Sequence, residues 1–227
     1  MHTRRIIGQK TGMNILNEFF DRIYCVTVHD FVDRHELVKT QLKGIHFEWI
    51  FSPPAQYIMP GANLSSTEIS LIIGHLTCIW NARANGYHKI AIWEDDGVIV
   101  SSEKDMKVFF DNLPPNWDCL YMGNASWNEG IEPVRTSPVS EYVNRVAWGT
   151  GSGFNAIQQH AYDTLIKTAM AWAEPIDFNY YTVFGRGNSY APSKGYFSDP
   201  ISMPNEHCLH RVTSTERFIP SRIVHGK

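Results

Sequence analysis

The chain has 227 residues, 43% hydrophobic and 13% aromatic, and carries a formal charge of −3. That much apolar material excludes global disorder and is enough for one large α/β domain. The slight acidity excludes a protein whose whole surface grips nucleic acid, and no stretch reaches the ~18 apolar residues of a membrane span. Four widely spaced cysteines (Cys25, Cys78, Cys119, Cys208) form no C-x-x-C pair. Cys25 and Cys119 sit in apolar runs, a usage that suits a reducing compartment. The expectation is a soluble, cytoplasmic chain with a single domain over 1–227, a loose arm at 1–20 and an irregular tail at 200–227.

Asn14 to Phe20 reads as a short helix or turn. Ile23 to Val28 is apolar and β-branched, and predicts the first strand. Asp30 or Asp33 is placed to cap a helix running to about Lys43, where Gly44 ends it. Ile45 to Phe51 predicts a second strand, stopped by Pro53-Pro54. Strand, helix and strand in that order imply a right-handed parallel crossover. After a loop from Pro53 to Leu64, Ser65 and Glu68 have the spacing of a capping box. Ile69, Ile72, Ile73, Leu76 and Trp80 then form the stripe of an amphipathic helix, with Gly86 as its stop.

That helix leads into Ile90-Ala91-Ile92-Trp93-Glu94-Asp95-Asp96, where an apolar run meets three carboxylates. So short a run predicts a strand buried on both faces, and its end lies at the rim where open α/β sheets bind ligands. Adjacent acids repel one another, and a hard divalent cation with oxygen ligands offsets that cost; a solvated acidic turn is the alternative. Next, Ser102 caps a helix whose Met106, Phe109, Phe110 and Leu113 share a face. Pro114-Pro115 ends it, and Trp117 to Met122 is the following strand. The order β-α-β-α-β-α-β implies a mostly parallel sheet flanked by helices.

The second half is less regular. Trp127 to Ser140 is polar and proline-containing, and Glu141 to Trp148 is a candidate strand. Gly149 to Gly153 reads as a tight loop before a helix from about Asn155 to Trp172, with Ile157, Ala161, Leu165, Thr168 and Trp172 on one stripe. The loop matches neither the P-loop nor the dinucleotide fingerprint, so a turn needing positive φ is the simpler reading. The tail carries His207, Cys208, His210 and several basic residues. Trp127 and Trp148 are open to sugar or base stacking, or to core packing.

Several separated segments resemble glycosyltransferase family 25, the lipooligosaccharide and procollagen galactosyltransferases. They are Val26-Thr27-Val28 with Asp33-Arg34; Glu68, His75 and Trp80 on the helix; Glu94-Asp95-Asp96; and Leu113-Pro114 with Trp117-Asp118 and Leu120 to Gly123. Gly153-Phe154 and Pro175-Ile176-Asp177 match later motifs more loosely. The likeness spans about Asp21 to Asn124 well and Thr150 to Asp199 weakly. Thr67 and Gly74 stand where the family has Gly and Ser, and the turn before Arg34 lacks its usual basic residues. The resemblance implies a GT-A fold, a nucleotide-sugar donor, Mn2+ (or Mg2+) and inversion at the anomeric carbon.

Alternate residues of an extended segment point the same way. Asp96 is therefore the first candidate metal ligand, with Glu94 reaching the metal or the donor and Asp95 facing into a hydrogen-bond network. The GT-A likeness implies a further ligand from the C-terminal region, with His207 ahead of His210 and Asp199, although a plain surface histidine is the commoner outcome at such positions. Asp177 is the candidate base, since inverting transfer needs one and partial burial would raise its pKa; its competing role is helix capping. Thr27 and Val28 are expected at the nucleotide base. Arg34 is expected at a diphosphate oxygen or in a salt bridge, and His75 as a satisfied core histidine. The acceptor is a saccharide or another hydroxylated molecule. A hydroxylated nucleic-acid base is permitted by the basic tail but gains nothing from the overall acidity, and a binding module without turnover is the reading of another class.

Overall fold

The computed structural model describes residues 15–123, 135–149, 151–193 and 198–200, the last three by their backbone. Its elements in order are α1 (Ile15–Phe19), β1 (Arg22–Thr27), α2 (Val32–Gln41), β2 (Glu48–Phe51), α3 (Ser66–Ala84), β3 (Lys89–Glu94), β4 (Gly97–Ile99), α4 (Glu103–Asp111), β5 (Cys119–Tyr121), β6 (Arg135–Pro138), β7 (Val143–Trp148), β8 (Phe154–Gln158), α5 (Tyr162–Ala169), α6 (Ile176–Phe184), β9 (Ser189–Pro192) and β10 (Ser198–Pro200). Eight strands form one sheet in the order β2-β1-β3-β8-β5-β9-β7-β6, and β10 pairs with β4 in a second, two-stranded sheet.

The first three sheet strands are parallel, as the β-α-β pattern predicts. The sheet as a whole is mixed. β8 runs antiparallel to both β3 and β5, and β7 antiparallel to β9 and β6, so the other six strands share one direction. The central strands bury both faces. Tyr24, Val26, Ile90, Ile92, Cys119 and Ile157 pack under α3, α5 and α6. Ile23, Cys25, Ala91, Trp93, Leu120 and Phe154 pack under α1, α2 and α4. This is a helix–sheet–helix sandwich, and strands buried on both sides explain the continuous apolar runs.

Local signals place most helix ends where expected. The Ser65 hydroxyl accepts from the Glu68 N–H while the Glu68 carboxylate accepts from the Ser65 N–H, completing the capping box of α3. Gly86 closes that helix with φ of +69°. Ser102 caps α4 through the Asp105 N–H. The buried face of α3, however, runs through Ile72, His75, Leu76, Ile79 and Ala82, and Trp80 is exposed. The stripe is rotated because α3 is covered by strands on one side and by α5 and α6 on another. Gly74 permits the close approach: a Cβ there would lie 2.6 Å from Val26 Cγ1 and would overlap the Ser52 hydroxyl.

Three expectations fail. The N-cap of α2 is Phe31, and neither Asp30 nor Asp33 caps it by its side chain. The helix expected from Asn155 to Trp172 is instead β8, a 3-10 turn at Gln159–Ala161 and the shorter α5. Asn155 to Ile157 fill the gap between β3 and β5, where pairing on both sides outweighs the helical spacing of Ile157, Ala161 and Leu165. β9 lies where the sequence predicts no strand, because four residues ending in proline carry almost no periodicity.

Candidate active site

β1 and β3 end together at one edge of the sheet, and the acidic turn leaves from there. The Asp95 N–H donates to the Val26 carbonyl (3.2 Å) and the Glu94 N–H to the Gly153 carbonyl (2.9 Å), which fixes the turn between β1 and β8. Strand alternation then sends neighbouring carboxylates to opposite faces.

On the α2 face, Asp95 is buried. It accepts from the Thr27 hydroxyl (2.5 Å) and from Arg34 Nη1 (2.8 Å). The Arg34 guanidinium also lies 4.5 Å from the centre of the Phe31 ring. His35 Nε2 lies 3.0 Å from both Thr27 Oγ1 and the Val28 carbonyl, and donates to them. Thr27, Val28, Arg34 and Asp95 thus come together in one network, with Arg34 salt-bridged to the middle acid. Beyond Val28, the exposed His29 ring stacks on Phe51 with centroids 3.9 Å apart.

On the α3 face, Glu94 meets His75, whose Nε2 lies 3.2 Å from Glu94 Oε1. His75 is fully buried, and its Nδ1 lies 3.2 Å from the Tyr180 hydroxyl. Tyr180 stands on α6, one turn after Asp177. Asp177 Oδ2 accepts from the Gly151 N–H (3.2 Å), and its Oδ1 accepts from the Phe178 N–H (3.0 Å). The side chain therefore ties the glycine loop to the first turn of α6; the N-cap itself is Pro175. Gly151 has φ of +93°, the backbone state that a side chain resists. Desolvation pushes the Asp177 carboxyl up to about 6, and the Glu94 charge adds to the rise, while the Gly151 and Phe178 N–H groups oppose it. Trp148 is half-buried against Tyr181 (centroids 5.5 Å apart).

Asp96 is buried in the turn itself. β4 follows at once and pairs with β10, with Gly97 opposite Pro200 and Val98 opposite Asp199, so the backbone that precedes the tail returns to the acidic turn. His207, His210 and Trp127 lie outside the described residues. Among the described residues no three His, Cys, Asp or Glu side chains gather as a metal site. Glu94 and Asp96 carry hard oxygen donors of the kind that divalent cations such as Mg2+ take.

His75 is the satisfied core histidine that the sequence predicts, fully buried with a partner at each ring nitrogen, but its meeting with Glu94 and the places of Tyr180 and the Gly151 N–H carry no sequence-based expectation. Tyr180 has a legible sign, since it shares a helix face with Asp177 at i and i+3. The Gly151 and His75 contacts depend on tertiary packing and leave no local pattern.

No protein-family model matches the sequence, and no relative is found among curated proteins. Solved structures do resemble the fold. A glycosyltransferase involved in glycosylation of the major capsid of PBCV-1 aligns with a TM-score of 0.55 at 11% identity, over 82% of this chain and 95% of the other. A putative glucose-1-phosphate thymidylyltransferase from Bacillus anthracis aligns at 0.48 and 12% identity, over 90% and 80% of the two chains. A protein described as mannose-1-phosphate geranyltransferase from Thermus thermophilus aligns at 0.43 and 9% identity, over 78% and 60%. The first of these likenesses establishes a GT-A-like fold. No helix among the described residues is long and apolar enough to cross a membrane.

Proposed function

We propose that the protein is a metal-dependent glycosyltransferase of the family 25 type. It moves a sugar from a nucleotide-diphosphate donor, a UDP-sugar, to an acceptor hydroxyl with inversion. The observation that carries this reading is that Glu94, at the end of the acidic strand, is linked through His75 to Tyr180 on α6, the helix that carries Asp177, in a fold shared with a capsid-modifying glycosyltransferase. Open α/β sheets bind their ligands at this edge.

Glu94 and Asp96 would hold Mn2+ or Mg2+, with His207 as the further ligand from the segment after β10. The cation supplies charge neutralisation for the departing diphosphate. The Thr27–Val28 edge and the adjoining His29–Phe51 stack would take the nucleotide base. Asp177 receives the proton of the acceptor hydroxyl as that oxygen bonds to the anomeric carbon and the bond to the diphosphate oxygen breaks. A carboxyl with its pKa at about 6 suits a general base, being ionised at neutral pH yet more basic than an ordinary aspartate.

The test is a panel of UDP-sugars with Mn2+, read by thermal stabilisation and by nucleotide release. One member should raise the melting temperature and release UDP, and chelation should abolish both effects. Asp96→Ala should keep the fold and weaken metal-dependent donor binding by at least ~100-fold. Unchanged donor affinity in that variant, or no response to any donor, overturns the reading.

A further inference from the structure

Glu94 is only 15% exposed in its side chain, and the group facing it from α3 is a fully buried imidazole. Hydrogen positions follow from the network around that ring. Among the described residues His75 is the only hydrogen-bond partner of the Tyr180 hydroxyl. With the proton on Nε2, His75 donates to the Glu94 carboxylate, and the hydroxyl of Tyr180 donates to Nδ1. All three groups are then satisfied. With the proton on Nδ1, the Nε2 lone pair would face a carboxylate oxygen at 3.2 Å with no hydrogen between them, and Tyr180 would have to accept. With both nitrogens protonated, the buried Tyr180 O–H would lose its acceptor. Only the first arrangement leaves nothing orphaned.

We infer that His75 is a positioning residue: held in its Nε2–H form by Tyr180, it fixes the Glu94 carboxylate on the side of the sheet edge that Asp177 faces. The consequence is mechanical. Tyr180 and Asp177 ride on the same helix, so the bond from Tyr180 through His75 to Glu94 sets the distance between the acidic strand and the carboxylate of α6. Gly74, one residue earlier, lets α3 lie close enough to β1 for the imidazole to reach Glu94. Partners of this kind behind a ligating carboxylate alter metal affinity by roughly 10–100-fold when removed. The inference rests on the proposed role of Glu94 in holding the cation and donor.

Two near-isosteric variants separate positioning from packing. The His75→Gln amide nitrogen replaces Nε2 and keeps the donor to Glu94; His75→Asn keeps a partner for Tyr180 and loses that donor. Affinity for UDP in Mn2+, measured by calorimetry, should fall about tenfold or more in His75→Asn and stay within about threefold of wild type in His75→Gln. Both variants should melt at similarly lowered temperatures. In the free protein, nitrogen-15 histidine spectra should show the Nε2–H tautomer for His75, and Tyr180→Phe should weaken that preference. Equal loss of UDP affinity in the two variants, or an Nδ1–H signal, overturns the inference. If wild type shows the Nε2–H tautomer but binds neither UDP nor any UDP-sugar, the functional reading falls and the hydrogen-bond frame around Glu94 stands.

Discussion

Asp177 is bound both by its own helix and by the glycine loop, and burial moves its titration toward neutrality. An unfolded aspartate titrates near about 3.9; in the folded chain it titrates at about 6. The folded state therefore binds the proton more tightly, so this residue's contribution to stability is greatest below about pH 4 and is lost as pH rises through about 6. Asp177→Asn removes that slope. Urea midpoints compared from about pH 4 to 7 should show wild type losing stability relative to the variant; parallel curves would contradict the assignment. If Asp177 is the base, kcat/KM falls as pH drops through about 6. The asparagine variant should then keep donor binding and lose at least ~100-fold in transfer. The neighbouring acids show how far residue-level reading reaches. Alternation alone sends Asp95 away from Glu94, and it does point to Thr27 and Arg34. That Glu94 meets His75 is decided by how α3 lies on the sheet, which no local pattern encodes.

Among the elements, α3 links core and site. Its capping box is legible in the sequence because that signal lies within four consecutive residues. Its buried face departs from the expected stripe by part of a turn, because packing against strands on one side and helices on another buries more than an amphipathic stripe. β8 escapes the sequence reading for a related reason: a strand buried on both faces has no alternation, so chance spacing at i and i+4 imitates a helix. Gly74 tests the importance of the contact. Alanine favours an isolated helix by about 1 kcal/mol over glycine. Here the added methyl would lie 2.6 Å from Val26 Cγ1 and would also overlap the Ser52 hydroxyl. Overpacking of this kind costs roughly 1–3 kcal/mol, so the net change should be a loss of stability. Because α3 must then lift from β1, donor affinity should fall with it. A Gly74→Ala protein that is as stable as wild type in urea would show that the approach is not tight.

At the scale of the whole sheet, the two edges carry different groups. The edge where β1 and β3 end carries the acidic turn, the Arg34 network and Asp177. The opposite edge, where β5 begins, carries Asp118, a fully buried carboxylate with His160 Nε2 at 2.7 Å and Arg186 Nε at 3.1 Å. Its N–H donates to the Asn188 carbonyl and its carbonyl accepts from the Gln158 N–H, so β5, β8 and the chain entering β9 meet there. Trp117-Asp118 belongs to the segment that resembles family 25, which alone would tempt an assignment to chemistry. Its position argues for holding the sheet together, since open α/β sheets place ligands at the ends where the parallel strands finish. Removing one member of a buried ionic group leaves its partners uncompensated. His160 and Arg186 are both partly exposed and water can reach them, so the cost falls below that of a sealed pair. Asp118→Asn should lower stability by about 2 kcal/mol in chemical denaturation. UDP affinity in Mn2+ should stay within about twofold of wild type, as expected for a site remote from the edge proposed to bind the donor. A variant of normal stability that no longer binds the nucleotide would place chemistry at both edges and break the division.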